Sequence, residues 1–176
     1  MKVVVLTGPE STGKSSLGRR LEERFGGLLV GEYVRAFIEQ EQRDTCLGDI
    51  PAIARGQLAW EDQARDQRPE LLILDTHLLN NQLWSQVLFH DCPAWLETEL
   101  LSRHYDLHLL LSPAEVPWTA DGMRCQPELA ERQAFFEASR HWLDQHGQRY
   151  QVIGGSWPER EAAAIQAVAG LLAQRI

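Results

Sequence analysis

The sequence has little of what zinc-binding, secreted or membrane proteins need. Its three cysteines, Cys46, Cys92 and Cys125, form no CxxC pair, so neither a zinc knuckle nor a disulfide framework is expected. The first apolar run, Val3 to Leu6, is short, and the tract from Ala162 to Ala173 is interrupted by a glutamine. Neither run suits a signal peptide or a membrane span. These absences favour a cytoplasmic protein with no membrane partner.

Positive charge is also scarce and spread out. The chain has 17 basic and 25 acidic residues, which gives a formal net charge of −8, and only two of the basic residues are lysines. The arginines form no run along the sequence. A surface that binds nucleic acid must neutralise many phosphates, so a nucleic-acid partner is not expected. Any small anionic ligand must be held by a local arrangement of donors.

What the chain does have is a regular alternation of apolar runs and helical sequence. Its 176 residues are expected to form one domain, over 1–176. Apolar runs of strand length predict strands that are buried on both faces of a sheet. The alternation with helices predicts an α/β fold whose five-stranded, mostly parallel sheet has helices on both faces. The strands are predicted at Lys2–Leu6, Leu28–Val30, Leu71–Leu74, Leu107–Leu111 and Tyr150–Ile153.

The first strand leads into GPESTGKS, a full match to G-x-x-x-x-G-K-[ST], and a helix is predicted directly after it, over Lys14–Phe25. A strand, a glycine-rich turn and a helix in this order indicate the phosphate-binding loop of a P-loop NTPase. In such a loop the backbone amides surround the phosphates of ATP, Lys14 reaches the β and γ oxygens, and the Ser15 hydroxyl binds Mg²⁺. The alternative, a plain glycine turn, explains neither the lysine nor the serine. The predicted nucleotide-binding residues of the loop are Gly8, Pro9, Glu10, Ser11, Thr12, Gly13, Lys14, Ser15 and Ser16.

Two carboxylates follow predicted strands. Asp75 comes directly after Leu71–Leu74, where an acidic residue can hold Mg²⁺. Glu32 comes just after Leu28–Val30, where it can face an acceptor hydroxyl opposite the γ-phosphate. A strand-end or capping aspartate and a first-turn helix glutamate are the alternatives without a function. Either carboxylate can orient or deprotonate the hydroxyl, so the base is left open between them.

A proline-containing segment between the fourth and fifth strands is a candidate lid, at about residues 112–132. Phosphoryl transfer needs shielding from water and neutralisation of charge, which lid arginines can supply; Arg124 and Arg132 lie in this stretch. Solvated surface arginines are the alternative. Planar side chains that can stack on a base are Trp118, Trp157 and Tyr33, with ordinary packing as the alternative, whereas Trp60, Trp95 and Trp142 are expected in the core.

Six segments occur in a characteristic order along the chain. They are GPESTGKSSL at 8–17, GEYVR at 31–35, DTHLLNNQLW at 75–84, YDLHLLL at 105–111, VPWTADGMR at 116–124 and YQVIGGSWPER at 150–160. Together they resemble the ribosylnicotinamide kinase domain of NadR-type proteins, a family of P-loop kinases and ATPases. The match covers nearly the whole chain and is therefore more specific than the phosphate-binding loop alone.

The resemblance implies an enzyme that moves the γ-phosphate of ATP, with Mg²⁺, to the 5′-hydroxyl of nicotinamide riboside and gives nicotinamide mononucleotide. It implies a small nucleoside as the partner and leaves the oligomeric state open. By position, Glu32 and Arg35 would belong to the acceptor side, Asp75 would lie near the metal and the hydroxyl, and Asp121 with Arg124 would belong to the lid. The catalytic set is then Lys14, Glu32, Asp75 and Arg124.

One position of this sequence departs from the pattern of the family that it resembles. Where the family usually has a second acidic residue, two positions after Asp75, this sequence has His77.

A P-loop kinase of another small nucleoside or sugar is one alternative function. The other is a regulatory module whose slow ATP turnover moves the lid for a partner protein.

Overall fold

A five-stranded parallel sheet forms the centre of the structure, which is a computed structural model and describes residues 1–174. The strands are β1 (Lys2–Thr7), β2 (Leu28–Val30), β3 (Leu71–Asp75), β4 (Leu107–Leu111) and β5 (Tyr150–Ile153). The helices are α1 (Lys14–Phe25), α2 (Tyr33–Glu41), α3 (Ile50–Asp66), α4 (Leu78–Phe89), α5 (Trp95–Ser102), α6 (Leu129–Gln145) and α7 (Trp157–Ala173), and a short 3-10 turn (Leu47–Asp49) precedes α3.

The strand order is β2-β3-β1-β4-β5, and all four neighbouring pairs are parallel. In the central strand Val4 is in register with Ile73 of β3 and with Leu107 of β4. Because every strand runs the same way, the five carboxyl ends lie along one edge of the sheet. Ligands of open α/β sheets bind outside that edge.

Helices cover both faces of the sheet, so the strands are buried on both sides. In β1, Val3 and Val5 face a core that α3, α4, α5 and α6 complete. Val4 and Leu6 face the opposite core, which is completed by α1 and α7. Burial on both faces explains why the strands are continuous apolar runs and not alternating patterns.

The predicted α/β fold is confirmed, with differences at particular places. β1 and β3 each extend one residue beyond the prediction, and the sheet is entirely parallel. The lid has no helix or strand over residues 112–128, and residues 129–132 already form the first turn of α6. Within residues 1–174, no helix combines the length and the apolar composition that a bilayer crossing requires.

The prediction that Trp60 packs in the core is wrong. Its side chain, on α3, is 36% exposed, and its ring meets the Tyr33 ring edge-on with centroids 4.9 Å apart. The helix lies beside β2, a three-residue strand at the edge of the sheet, so this part of α3 has no further strand to cover it. Trp142 is buried, and Trp95 is partly buried against the core, as predicted.

Candidate active site

The loop between β1 and α1 can accept glycine alone at both of its ends. Gly8 has φ +124°, and a Cβ atom there would lie 2.7 Å from the carbonyl oxygen of Leu111. Gly13 has φ +87°, and its Cβ would lie 2.8 Å from a ring carbon of Trp157. These positive φ angles are costly for residues with a side chain. The two glycines therefore let the backbone curl tightly between the end of β4 and the start of α7.

Lys14 lies in this loop at the start of α1. Its ammonium donates hydrogen bonds to the carbonyl oxygens of Gly8 at 3.0 Å and Pro9 at 2.7 Å. The Thr12 hydroxyl also donates to the Pro9 oxygen, at 2.9 Å. Burial lowers the pKa of Lys14, and the negative charges of Glu32 and Asp75 oppose that shift. The ammonium is thus held inside the loop, where it can contact phosphate oxygens.

A buried asparagine of α4 supports the loop from below. The Thr7 hydroxyl donates to Asn80 Oδ1 at 2.7 Å, and Asn80 Nδ2 donates to the Gly8 carbonyl at 3.2 Å. Asn80 is 3% exposed, so both of these bonds lie away from water. They fix the point at which β1 becomes the phosphate-binding loop.

Asp75 ends β3 beneath this loop. Its side chain is 4% exposed, and its Oδ1 atom has no hydrogen-bond partner within residues 1–174. The next residue, Thr76, has φ +71°, which is unusual for a β-branched residue, and its amide donates to the Leu6 carbonyl at 3.0 Å. Strained backbone of this kind tends to occur at functional sites.

Glu32 follows β2 and lines the same cavity as Lys14. Its Oε2 atom accepts a hydrogen bond from Arg35 Nε at 3.0 Å. Burial raises the pKa of the Glu32 carboxyl, and the positive charges of Lys14 and Arg35 partly offset this rise, while Asp75 adds to it. One ammonium and two carboxylates therefore interact electrostatically at the carboxyl ends of β1, β2 and β3.

These residues fit a magnesium ion. The unpartnered Oδ1 of Asp75 is a buried carboxylate oxygen, and Ser15 lines the cavity at the start of α1. No cluster of three or more His, Cys, Asp or Glu that could bind a metal occurs within residues 1–174. Mg²⁺ commonly binds through one or two protein ligands and completes its shell with phosphate oxygens and water. Asp75 and Ser15 match that pattern.

The cavity extends from the phosphate-binding loop into an apolar region. The space between its walls is about 1180 Å³ when the open mouth is included. The polar end holds Lys14, Glu32 and Arg124. The other end is lined mainly by apolar and amide side chains: Val34, Ile38, Ile50, Ile53, Gln57, Asn81, Trp84 and Leu88.

An ion-pair network connects the lid to Arg35, which lines the cavity near Glu32. Asp121 Oδ2 lies 2.9 Å from Arg35 Nη1 and 3.2 Å from Arg124 Nε. Asp121 Oδ1 accepts the backbone amides of Met123 and Arg124, each at 3.0 Å. The tip of the lid is therefore folded around one aspartate, and Arg124 lines the cavity.

The fold and the loop agree with the comparisons to known proteins. A family model described as an AAA domain matches residues 3–160. The chain belongs to this AAA domain family. Among curated proteins, the "Trifunctional NAD biosynthesis/regulator protein NadR" of Salmonella typhimurium (strain LT2) is 25% identical over 139 residues, which are 77% of this chain and 34% of that protein. NadR of Escherichia coli (strain K12) is 24% identical over the same length, with the same shares covered.

Solved structures with the same fold include a NadR protein in complex with NR. It superimposes with a TM-score of 0.83 at 23% identity, over 99% of this AAA domain chain and 52% of that chain. The deoxyadenosine kinase from M. mycoides with bound dATP has a TM-score of 0.62 at 13% identity, over 98% of this chain and all of that one. At such identities the likeness establishes the P-loop kinase fold alone. The chain spans about a third of the curated NadR proteins and about half of the NadR structure.

The AAA domain structure places most of the predicted site residues around one cavity. Its lining includes Glu10 to Ser16 from the loop, Glu32 and Arg35 from the start of α2, and Arg124 from the lid. Gly8 and Pro9 contribute their carbonyl groups to Lys14 instead of lining the cavity, and Asp121 lies beside Arg35 and Arg124.

Five other predicted residues do not line this cavity, and one of them is Asp75, which lies at the end of β3. The Tyr33 ring packs against Gly56 and the edge of Trp60. Trp118 donates from Nε1 to Glu10, and Trp157 packs on Gly13 beside the loop. Arg132 is neither solvated nor in the cavity, because it is 4% exposed and donates to the Val116 carbonyl at 3.2 Å. Its guanidinium fixes the lid backbone.

Sequence reasoning missed Gln57 and Trp84, which line the cavity. Gln57 is 2% exposed; Oε1 accepts the Tyr33 amide at 2.8 Å, and Nε2 donates to the Gly31 carbonyl at 3.2 Å. It thus holds the backbone on both sides of Glu32. Its spacing, four residues after the buried Ile53 on α3, is a signal that was present in the sequence. Trp84 gave no such signal, because α4 is apolar on several sides.

Proposed function

We propose that the protein is an ATP- and Mg²⁺-dependent kinase that phosphorylates the 5′-hydroxyl of nicotinamide riboside and produces nicotinamide mononucleotide. The observation that carries the proposal is the continuity of one cavity from the phosphate-binding loop, past Glu32, to an apolar wall that includes Trp84. A kinase of small molecules needs these three parts in this order. The phosphates of the donor, the reacting hydroxyl and the body of the acceptor then lie in line.

On the donor side, charge is available where the transferred group needs it. Lys14 supplies an ammonium at the loop, and Arg124 supplies a guanidinium from the lid. Ser15 and Asp75 would hold Mg²⁺, which when bound neutralises charge on the phosphate oxygens. Preorganised charges of this kind account for most of the catalysis of phosphoryl transfer, which needs little covalent help from the protein.

On the acceptor side, Glu32 is the proton acceptor in this proposal. Its carboxylate faces the cavity, whereas the free oxygen of Asp75 suits the metal. The raised pKa of Glu32 brings its basicity closer to that of the hydroxyl that attacks the γ-phosphate. Arg35 donates to the same carboxylate and keeps it directed toward the cavity.

The charges at the acceptor end favour a nucleoside over a nucleotide. The cation there, Arg35, is already paired with both Glu32 and Asp121. A phosphate group on the acceptor would have to compete with those two carboxylates. The remaining wall, with Trp84 and the aliphatic side chains beside it, suits a planar base. The relatives support nicotinamide riboside, because a NadR protein of the same fold was solved in complex with NR.

A panel of acceptors tests the proposal. The purified protein is incubated with ATP and Mg²⁺ and, in turn, nicotinamide riboside, the common nucleosides, deoxynucleosides and simple sugars, and ADP release and product mass are measured. Nicotinamide riboside should raise ADP release far above the acceptor-free rate and give nicotinamide mononucleotide. Lys14→Ala and Asp75→Asn should each lose most of that turnover while keeping their circular dichroism spectrum. Faster turnover with another nucleoside or sugar would replace the acceptor, and no stimulation by any acceptor would favour a regulatory ATPase.

A further inference from the structure

Glu10 is an acidic residue in a loop that binds anions, and donor binding does not explain it. A carboxylate at this position repels a polyphosphate unless its charge is taken up elsewhere. The structure shows which groups stabilise the negative charge of Glu10. Glu10 Oε1 accepts Trp118 Nε1 at 2.7 Å and the Gln126 amide at 2.8 Å, and Oε2 accepts the Cys125 amide at 3.1 Å. All three donors belong to residues 112–128, the part of the lid that has no helix or strand.

We propose that Glu10 is a positioning residue that fastens the lid to the phosphate-binding loop and thereby places Arg124 at the phosphate site. The phosphoryl-transfer part of this proposal rests on the kinase function above. The fastening itself concerns only this chain's own contacts.

The positions of the donors show how the fastening works. Trp118 lies before the segment 121–124 at the tip of the lid, and Cys125 and Gln126 lie after it. The single carboxylate of Glu10 therefore joins both sides of the lid. Hydrogen bonds to an ionised acceptor are stronger than those between neutral groups. Arg124, which lines the cavity, lies between these anchor points and directly precedes the Cys125 amide.

Ser11 adds a second link from the same loop. Its hydroxyl donates to the Pro117 carbonyl at 3.3 Å and accepts the Thr119 amide at 3.0 Å. Arg124 Nη1 lies 3.5 Å from the same oxygen. A nucleotide that orders the phosphate-binding loop would therefore also order the lid, and water would be kept from the phosphoryl group.

Amide hydrogen exchange on the free protein tests the fastening without any substrate. In Glu10→Ala, the amides of Cys125 and Gln126 lose their acceptor and should exchange at least about 10-fold faster than in the wild type. Glu131→Ala is the matched control, because it removes an exposed carboxylate from α6 close to the lid, and exchange there should stay unchanged. Unchanged exchange in Glu10→Ala, in a variant that melts like the wild type, would overturn the proposal.

A second experiment tests whether the fastened lid keeps water from the phosphoryl group. It compares transfer of the γ-phosphate to water with its transfer to the acceptor. With nicotinamide riboside, Glu10→Ala should raise the ratio of hydrolysis to transfer several-fold, whereas a merely destabilised enzyme would lose both rates together. Trp118→Phe removes the Nε1 donor and leaves an aromatic ring, so it should shift the ratio in the same direction, and it should add nothing to Glu10→Ala. Additive effects, or an unchanged ratio in Glu10→Ala, would contradict the role. If the wild type does not phosphorylate nicotinamide riboside, the proposed function fails while the exchange experiment still decides the fastening.

Discussion

At the scale of single residues, Arg35 controls the charge of the candidate base. Its Nε atom lies 3.0 Å from Glu32 Oε2, and its positive charge lowers the pKa of a carboxyl that burial raises. Replacing it in Arg35→Gln should raise the pKa of Glu32 further. A base works only when ionised, so the acidic limb of the kcat/KM profile should move to higher pH.

The measurement is a pH profile of the phosphorylation rate for the wild type and Arg35→Gln. Arg43→Gln serves as the control, because Arg43 is an exposed arginine paired with Asp49 outside the cavity. The acidic limb of the Arg43→Gln profile should coincide with that of the wild type. A limb that stays in place in Arg35→Gln, or moves to lower pH, would show that Glu32 is not the group that titrates.

Gly13 allows a second prediction at this scale. An alanine there would need a positive φ angle and would place its Cβ 2.8 Å from Trp157. We expect Gly13→Ala to lower the free energy of unfolding by about 1–2 kcal/mol, the cost of a left-handed conformation, and to weaken ATP binding. Urea denaturation and calorimetry measure these effects. In contrast, Gly170→Ala, in α7 with open space around it, should be neutral or stabilising by up to about 1 kcal/mol. Equal effects of the two substitutions would refute the argument.

At the scale of elements, a buried arginine ties the ends of β4 and β5 to the start of the lid. Arg160 is 1% exposed and donates to the carbonyls of Gly155 at 2.7 Å, Ser112 at 2.9 Å and Ala114 at 2.9 Å. Arg160→Met has a similar volume but leaves these carbonyls unpaired. It should lower the free energy of unfolding by more than about 2 kcal/mol, since each unsatisfied buried group costs about 1–3 kcal/mol.

Urea denaturation again gives the measurement, with Arg19→Met as the control, because Arg19 is exposed on α1. The control should change stability by less than about 0.5 kcal/mol. If Arg160→Met were as stable as the control, the carbonyls at the ends of β4 and β5 would have other partners and the lid would not depend on this helix.

The sequence predicts those features that are set by contiguous residues, and it does not predict those that depend on contacts between distant segments. The strands follow from apolar runs buried on both faces, and the loop from Gly8 to Ser15 follows from a contiguous motif, so both were predictable. Trp84 was not predictable, because helix packing brings α4 to the cavity, and Gln57 on α3 had only its spacing from Ile53 as a signal. Trp60 was misplaced for the same reason, since its exposure depends on which strand lies at the edge of the sheet.

The lid shows the same limit more strongly. Prolines and an Asp-Gly pair predict an irregular segment, but nothing in the local sequence indicates that Glu10 is its anchor 108 to 116 residues away. Arg132 and Arg124 look alike in the sequence, yet one is buried beneath Val116 and the other lines the cavity. Contacts between distant segments separate two arginines that composition cannot distinguish.

At the scale of the whole molecule, His77 lies in the core, at the position where the resemblance to NadR-type kinase domains implies an acidic residue. His77 and His108 are both fully buried, and their Nε2 atoms are 3.2 Å apart. His108 Nδ1 lies 3.3 Å from the Arg149 carbonyl, so each ring can remain neutral with one proton. The rings therefore join the N-terminus of α4 to β4 through an uncharged contact, where a second carboxylate would need a cation.

This pair makes the stability of the fold depend on pH. Burial lowers the pKa of His108 to about 4, against an ordinary value near 6.5. Between these values the unfolded chain binds a proton that the folded chain excludes, so stability is complete above about pH 6.5 and falls as the pH drops toward 4. Urea denaturation at pH 7.5 and pH 5 should show the wild type losing stability on acidification. His108→Gln, less stable at pH 7.5, should lose less on the same change, because one titrating group is gone. An equal loss in both proteins would mean that acid acts elsewhere, and that the contact between α4 and β4 does not depend on the charge of these histidines.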